Sequence, residues 1–204
     1  MNFYSDAAQD QFVAHILNFK KDGYCVDIGS CHSIISNNTF VFQELGWTSV
    51  SVEINSEYNS SYSSRINGTH YNEDALKVKY KEAFEENEFP KTIDYLSLDV
   101  DTLSLSVLKI LPFDEYRFKV ITIEHDAYLY GDKYRAEQRK VLTKLGYRLI
   151  CSNILVPNPG HVGYNGEPCP FEDWWVYPEE FESELLDKIQ CDMTQPMDII
   201  SKLK

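Results

Sequence analysis

The chain has 204 residues and a formal net charge of -13, with 43% hydrophobic and 25% charged residues. These values are typical of one soluble globular domain, residues 1–204. The acidity disfavours nucleic acid and anionic membranes as partners, because proteins that bind phosphate groups are rich in lysine and arginine. The sequence has five cysteines without Cys-x-x-Cys spacing, an N-terminus without a signal-like segment, and no apolar run near the ~20 residues of a membrane span, and these features predict a reducing, cytoplasmic location.

The predicted elements alternate between helix and strand. A first helix is expected after Ser5 and Asp6, because apolar residues recur at helical spacing up to the turn at Lys20–Gly23. Strands are predicted at Tyr24–Ile28, Thr48–Glu53, around His70–Tyr71, Ile93–Asp99, Phe118–Glu124, Tyr147–Cys151 and Phe171–Tyr177. Further helices are predicted at Phe40–Leu45, Tyr58–Tyr62, Leu76–Glu88, Leu103–Leu111, Asp132–Leu145 and Glu179–Lys188, with a long loop at Pro157–Pro170 and a peripheral tail past Cys191. Strands that alternate with helices predict a layered α/β domain whose ligand site lies at the carboxyl ends of parallel strands.

The stretch Tyr24–Ser33 is the first indication of a ligand site. An apolar run ends in Asp27, Gly29 follows, and the next predicted strand ends in Glu53. In a strand–turn–helix nucleotide site, glycine permits a tight turn beside the ligand, and the second-strand acid accepts hydrogen bonds from ribose hydroxyls. The second and third glycines of such turns are absent, so an ordinary strand–helix turn explains this stretch alone equally well.

Acidic residues also follow the fourth and fifth predicted strands. Carboxylates that converge from neighbouring strand ends suit a hard divalent cation such as Mg2+ or Mn2+. The alternative is that Asp101 and Asp126 cap the helical turns that follow them. The predicted metal ligands are Asp99, Asp101, Glu124 and Asp126.

His125 lies between two of these acids. A neighbouring carboxylate is expected to raise the pKa of the imidazole and fix its tautomer, as a general base requires. His125 is therefore a candidate catalytic residue together with Asp99 and Asp126, and the alternative is a structural histidine that is hydrogen-bonded to its neighbours. Phosphate-loop, nucleophile-elbow, Tyr-x-x-x-Lys and His-Glu-x-x-His motifs are absent from the sequence, which disfavours a dinucleotide dehydrogenase.

Several short stretches between Tyr24 and Pro178 occur in an order that is typical of one protein family. They are Val26–Ser30, Asn38–Phe40 with Glu44–Trp47 and Val52–Glu53, Ile93–Asp101 with Val107–Leu108, Phe118–Asp126, Arg139, Gly146–Tyr147 and Phe171–Val176. Together they resemble the FkbM-type S-adenosylmethionine-dependent methyltransferases. The resemblance implies a three-layer Rossmann-like fold with a mostly parallel seven-strand sheet of order 3-2-1-4-5-7-6, the last strand antiparallel.

The resemblance also implies a cofactor, a reaction and partners. The implied reaction is O-methylation of a hydroxyl on a sugar or small metabolite. The sequence does not determine the oligomeric state, and a homodimer is one option. Asn72 and Glu73 are alternatives to Asp74 for the contact with adenine. The implied S-adenosylmethionine-binding residues are Asp27, Gly29 and Ser30 for the methionine part, Glu53 for the ribose hydroxyls, Asp74 for adenine, and Asp99 beside donor and acceptor.

The chain departs from the family at two positions where glycine is usual, Ser33 and Thr102. Backbone torsions that are open to glycine can be closed to serine, so the departure at position 33 concerns the cofactor itself. A second interpretation is therefore a binding module that keeps the fold and does not transfer methyl groups. A nicotinamide-dependent dehydrogenase is a third.

Overall fold

Strands and helices alternate along the chain in the computed structural model, which describes residues 1–156 and 167–204. The strands are β1 Tyr24–Ile28, β2 Thr48–Val52, β3 Gly68–Tyr71, β4 Thr92–Leu98, β5 Arg117–Glu124, β6 Arg148–Val156, β7 Cys169–Val176 and β8 Cys191–Asp192. The α-helices are α1 Gln9–Ile16, α2 Tyr80–Glu86, α3 Ser104–Ile110, α4 Ala127–Tyr130, α5 Lys133–Lys144, α6 Ser183–Ile189 and α7 Pro196–Leu203. Short 3-10 helices span Phe40–Leu45, Ser56–Ser64, Asp101–Leu103 and Pro178–Glu180.

The strands form one mixed sheet of order β3-β2-β1-β4-β5-β7-β6-β8. Strands β1 to β5 pair in parallel, and β7 runs antiparallel to both β5 and β6. The predicted order of the first seven strands is therefore confirmed. The sheet gains an eighth strand because Cys191–Asp192 pairs in parallel with β6.

Helices cover both faces of the sheet and give the predicted three layers. On one face, Phe84 of α2, Val107 of α3 and Leu142 of α5 pack into a core with the central strands. On the other face, Phe12 of α1 and Leu186 of α6 do the same. The central parallel strands are thus buried on both sides, and apolar or small residues fill most of their positions.

Several predicted boundaries differ from the structure. The predicted helix Leu76–Glu88 begins only at Tyr80. The tail past Cys191 is not peripheral, since Ile199 and Ile200 of α7 are fully buried. The predicted loop at Pro157–Pro170 includes residues 157–166, which lie outside the described residues. Among the helices of the described part of the chain, none has the length and apolar character that a membrane span requires.

Candidate functional site

A cleft of about 250 Å3 opens where β1, β2, β3 and β4 end. Parallel strands of one sheet end on the same edge, so the residues that follow them come together although they are far apart in sequence. The lining of the cleft includes Gly29, Glu53, Asp74 and Asp99, which are four of the six predicted cofactor residues. The structure therefore brings together the core of the predicted site.

Gly29 lies where the turn after β1 meets the end of β4. Its φ is +82°, and a Cβ atom at this position would lie 1.6 Å from the carbonyl oxygen of Asp99. The Gly29 amide donates to the Val52 carbonyl oxygen at 2.9 Å, and the Asp99 amide donates to the Ile28 carbonyl oxygen at 2.9 Å. These bonds fix both backbone segments, so only glycine fits between them.

The next turn residue, Cys31, also has a left-handed backbone, with a φ of +47°. This conformation directs its amide to Oε2 of Glu53 at 2.9 Å. Ser33 has no positive φ, and its hydroxyl donates to the Ser61 carbonyl oxygen at 2.7 Å. The expectation that serine at position 33 needs glycine-like torsions is therefore wrong, and the strained position is Cys31.

Glu53 is held at the mouth of the turn by two backbone amides. Its Oε2 accepts from Cys31, and its Oε1 accepts from the amide of Asn55 at 2.7 Å. A carboxylate has about four acceptor positions, so two remain for the hydroxyls of a diol. Asp74 is fixed in a similar way, because its Oδ1 accepts from the amide of Leu76 at 3.0 Å.

Asp27 and Ser30 do not belong to the lining of this cleft. The Asp27 carboxylate accepts from the Thr39 hydroxyl at 2.8 Å and from the Asn37 amide nitrogen at 3.3 Å, and burial raises its pKa to about 6. The Ser30 hydroxyl accepts from the hydroxyl of Tyr62 at 2.6 Å. Both residues thus stabilise the turn from behind. Asn37, which was not predicted, stabilises the same turn, because its side-chain amide also donates to the Ser30 carbonyl oxygen at 3.0 Å.

An acidic cluster lies beside the cleft, at the ends of β4 and β5. One carboxylate oxygen from each of Asp101, Glu124 and Asp126 lies within 4.8 Å of the others. The fourth predicted ligand, Asp99, interacts with Glu124, and each of the two groups shifts the pKa of the other. Burial, followed by the charge of Asp99, raises the pKa of Glu124 well above its ordinary value. The helical turns that follow Asp101 and Asp126 have no side-chain capping bond, so the capping alternative is wrong.

His125 points toward a different set of groups. Its Nε2 lies 3.7 Å from Oδ1 of Asp173, and its Nδ1 accepts from the amide of Ala127 at 3.2 Å. Burial lowers the pKa of His125 to about 4, so the expected upward shift is wrong: desolvation outweighs the attraction of Asp173. The imidazole is therefore neutral near pH 7, and it is not among the residues that line the cleft.

Glu172 is a buried acid near this site that was not predicted. It lies on β7 directly opposite Glu124 of β5. Its Oε1 accepts from Nε1 of Trp174 at 2.7 Å, and the side chain of Gln9 also hydrogen-bonds to it. Burial raises the pKa of Glu172 to about 8, and the Trp174 bond opposes this shift. The signal in the sequence was a pair of acids, Glu172 and Asp173, within an otherwise aromatic and apolar strand.

Replacing Glu172 by glutamine is expected to remove part of the pH dependence of stability. In the wild type, the unfolded chain releases this proton near its ordinary pKa of 4.5 and the folded chain only near 8, so stability falls as the pH rises through this window. Glutamine keeps an acceptor for Trp174 and carries no charge. At about pH 8.5 the variant should gain about 2–4 kcal/mol relative to the wild type, and near pH 4 the difference should vanish.

Urea unfolding at several pH values measures this effect. Glu179→Gln is the matched control, because Glu179 is exposed and its neutralisation should change stability by less than about 0.5 kcal/mol. Parallel stability–pH curves for the wild type and Glu172→Gln would contradict the shift.

Comparison with known proteins gives the class of fold. No protein-family model and no curated protein matches the sequence. Among solved structures, a precorrin-6y C5,15-methyltransferase from Geobacter metallireducens is 13% identical with a TM-score of 0.55, over 82% of this chain and 86% of that one. A provisionally named O-methyltransferase from Klebsiella pneumoniae is 15% identical with a TM-score of 0.52, over 83% and 80%. The chain therefore has the Rossmann-like fold of S-adenosylmethionine-dependent methyltransferases.

Proposed function

We propose that the chain is an S-adenosylmethionine-dependent O-methyltransferase of the FkbM type that acts on a hydroxyl of a sugar or small metabolite. The observation that supports this most is the meeting of Gly29, Glu53 and Asp99 in one cleft at the strand ends of a methyltransferase fold. Gly29 lets the turn after β1 pack directly against the Asp99 backbone at the end of β4, and Glu53 presents free acceptor positions to a ribose diol.

The charge of the cleft favours this cofactor over a dinucleotide. The described lining includes no lysine or arginine. An acidic cleft attracts a positively charged sulfonium and repels a pyrophosphate, so the lining disfavours a nicotinamide-dependent dehydrogenase. The carboxylates of the lining are Glu53, Glu73, Asp74, Asp99 and Asp101.

The residues of the chain supply alignment and proton transfer. When bound, S-adenosylmethionine supplies a methyl group on a sulfur that is already activated for transfer. Glu53 and Asp74 orient the nucleoside, and alignment of donor and acceptor can contribute ~7–11 kcal/mol. Asp99 lies between the cleft and the acidic cluster, where it can orient the acceptor hydroxyl. The proton of the acceptor hydroxyl then passes to Asp126 or another carboxylate of the cluster. His125, which is neutral near pH 7, is the alternative base.

The acidic cluster also fits a hard divalent cation. Asp101, Glu124 and Asp126 supply carboxylate oxygens, and a cation would relieve the repulsion between carboxylates that adds to the effect of burial in raising the pKa of Glu124. Together with Asp99 they would hold Mg2+ or Mn2+, and the bound cation would lower the pKa of an acceptor hydroxyl. Titration with Mn2+ should give one saturable site in the wild type and none in Asp126→Asn; equal binding by both would overturn this assignment.

Calorimetric titration with S-adenosylmethionine and S-adenosylhomocysteine tests the function. Both should bind the wild type, and Glu53→Gln should bind them about 10–100-fold more weakly, because it loses charge-assisted hydrogen bonds to the ribose. Glu57→Gln is the matched control, since Glu57 is exposed and lies outside the cleft. Absence of binding to either compound would overturn the proposal.

The binding-module alternative keeps support from the turn after Gly29, where Cys31 adopts a left-handed backbone that glycine would adopt at lower cost. Such a turn can keep the fold and still position the methionine part of the cofactor poorly. Binding of S-adenosylmethionine without methyl transfer to any member of a broad panel of hydroxyl compounds would favour the module. Transfer to one of them would favour the enzyme.

A further inference from the structure

Two cysteines face each other at the edge of the sheet, away from the cleft. Cys151 of β6 and Cys191 of β8 are Cα partners in the parallel pair that adds the eighth strand. Neighbouring strands lie about 4.8 Å apart, which is within the roughly 4.4–6.8 Å between Cα atoms that a disulfide spans. Both thiols are free in the structure.

The two thiols have different environments. Cys151 is fully buried, and its thiol lies 3.7 Å from the carbonyl oxygen of Ile189. Cys191 is partly exposed. The interaction of the two thiols with each other lowers the pKa of Cys191 and raises that of Cys151, and the charge of Lys202 lowers the pKa of Cys191 further. Cys191 is thus the accessible nucleophile and Cys151 its buried partner.

Strand β8 can adjust to a covalent bond and still remain in register. It has only two residues and lies at the outer edge of the sheet. The Asp192 carboxylate accepts from the Ser152 hydroxyl at 2.6 Å and from the Asn153 side-chain amide at 2.7 Å. These bonds keep the two cysteines opposite each other, and the short strand permits a small shift.

We propose that Cys151 and Cys191 form a peroxide-sensitive dithiol that closes to a disulfide between β6 and β8. The Cys191 thiolate attacks one oxygen of hydrogen peroxide, and the O–O bond breaks. Cys191 becomes a sulfenic acid, and the departing hydroxide becomes water by taking up the proton that the Cys191 thiol released. The Cys151 sulfur then attacks the Cys191 sulfur, the S–S bond forms, and the sulfenic oxygen leaves as water with the Cys151 proton. The two thiols lose two electrons, and the peroxide is reduced to two molecules of water.

The three other cysteines make the proposal selective. Cys31 is exposed, but burial of its sulfur and the charge of Glu53 raise its pKa to about 12, so it remains a protonated and slow thiol. Cys25 and Cys169 are buried. Cross-linking should therefore precede oxidation elsewhere.

The test is peroxide treatment of the reduced full-length protein, followed by alkylation, trypsin digestion and mass spectrometry. Cleavage after Arg148, Lys188 and Lys202 places Cys191 on peptide 189–202, and Cys151 together with Cys169 on peptide 149–188. We expect these two peptides to appear joined, with the mass of two hydrogen atoms missing. Dithiothreitol should separate them.

Three variants assign the bond. Cys169→Ser should keep the cross-link, and Cys191→Ser should lose it. Cys151→Ser should also lose it, and circular dichroism must show that this buried variant is folded; if it is not, the Cys191→Ser and Cys169→Ser results decide. Sulfinic or sulfonic acid on Cys191 without the joined peptides, or loss of the cross-link in Cys169→Ser, would overturn the proposal.

Discussion

Replacing Gly29 by alanine is expected to cost more than about 4 kcal/mol of stability and to abolish binding of S-adenosylmethionine by any molecule that still folds. The added methyl group would lie 1.6 Å from the Asp99 carbonyl oxygen and 2.9 Å from a methyl group of Val100. Both sides of the contact are hydrogen-bonded backbone between central strands, so neither can move without breaking the sheet at the edge that carries the site. Urea unfolding and calorimetry measure the two effects.

Gly131→Ala separates the clash from the backbone torsion. Gly131 also has a positive φ, +70°, but a Cβ atom there would meet nothing within 4 Å. This control should lose only about 1–3 kcal/mol, the cost of placing a side chain at backbone torsions of φ +70° and ψ -165° that favour glycine, and should keep cofactor affinity. Similar small losses of stability in both variants would show that the turn at position 29 relaxes around the added methyl group. That result would contradict the conclusion that Gly29 fixes the distance between β1 and β4.

The sequence predicted the centre of the fold well for a physical reason. Strands β1, β2, β4 and β5 are buried on both faces, so each is a short stretch of mostly apolar or small residues, and a glycine or an acidic residue follows near its end. The same regularity predicted that Gly29, Glu53, Asp74 and Asp99 meet. It depends only on parallel strands ending at one edge, and needs no knowledge of side-chain contacts.

The residues that were missed or misplaced are those for which this rule fails. Strand β7 is antiparallel, so its amino end reaches the site edge, and a search of carboxyl ends overlooks Glu172. His125 is adjacent in sequence to Glu124, yet successive side chains of a strand point to opposite faces, and His125 joins Asp173. Strand β8 has two residues, Cys191 and Asp192, and gives no periodic signal.

The position of the acids also explains why desolvation decides the electrostatics here. A count of neighbouring charges predicts that the acids near His125 raise its pKa, whereas its burial lowers that pKa to about 4. Burial likewise raises the pKa of Glu172 to about 8 and that of Glu124 further. Exposure of a side chain cannot be read from a strand-end position, so the ionisable groups of the site were predictable from the sequence and their protonation states were not.

Replacing Arg139 by leucine is expected to cost about 3–5 kcal/mol, because it leaves a buried carboxylate without its cation. Arg139 of α5 donates from Nε and Nη2 to the two oxygens of Asp173 at 2.7 and 2.8 Å. Asp173 is 1% exposed and also accepts from the amide of Asn153 at 2.8 Å. This pair joins α5 to β7 directly beside His125, so its loss should weaken the wall behind the acidic cluster as well as the fold.

Arg148→Leu is the matched control, because it removes the same kind of ion pair from the surface: Arg148 pairs at 2.6 Å with Asp187, whose side chain is 69% exposed. Loss of this pair should cost less than about 1 kcal/mol. The double variant Arg139→Leu, Asp173→Asn should recover part of the loss, because it removes the uncompensated charge. Arg139 is one of the groups that lower the pKa of His125, so NMR titration should show the imidazole of Arg139→Leu protonating at a higher pH than in the wild type. Equal losses for Arg139→Leu and Arg148→Leu in urea unfolding, with an unmoved His125 titration, would mean that Asp173 finds other compensation and that the pair does not control this side of the site.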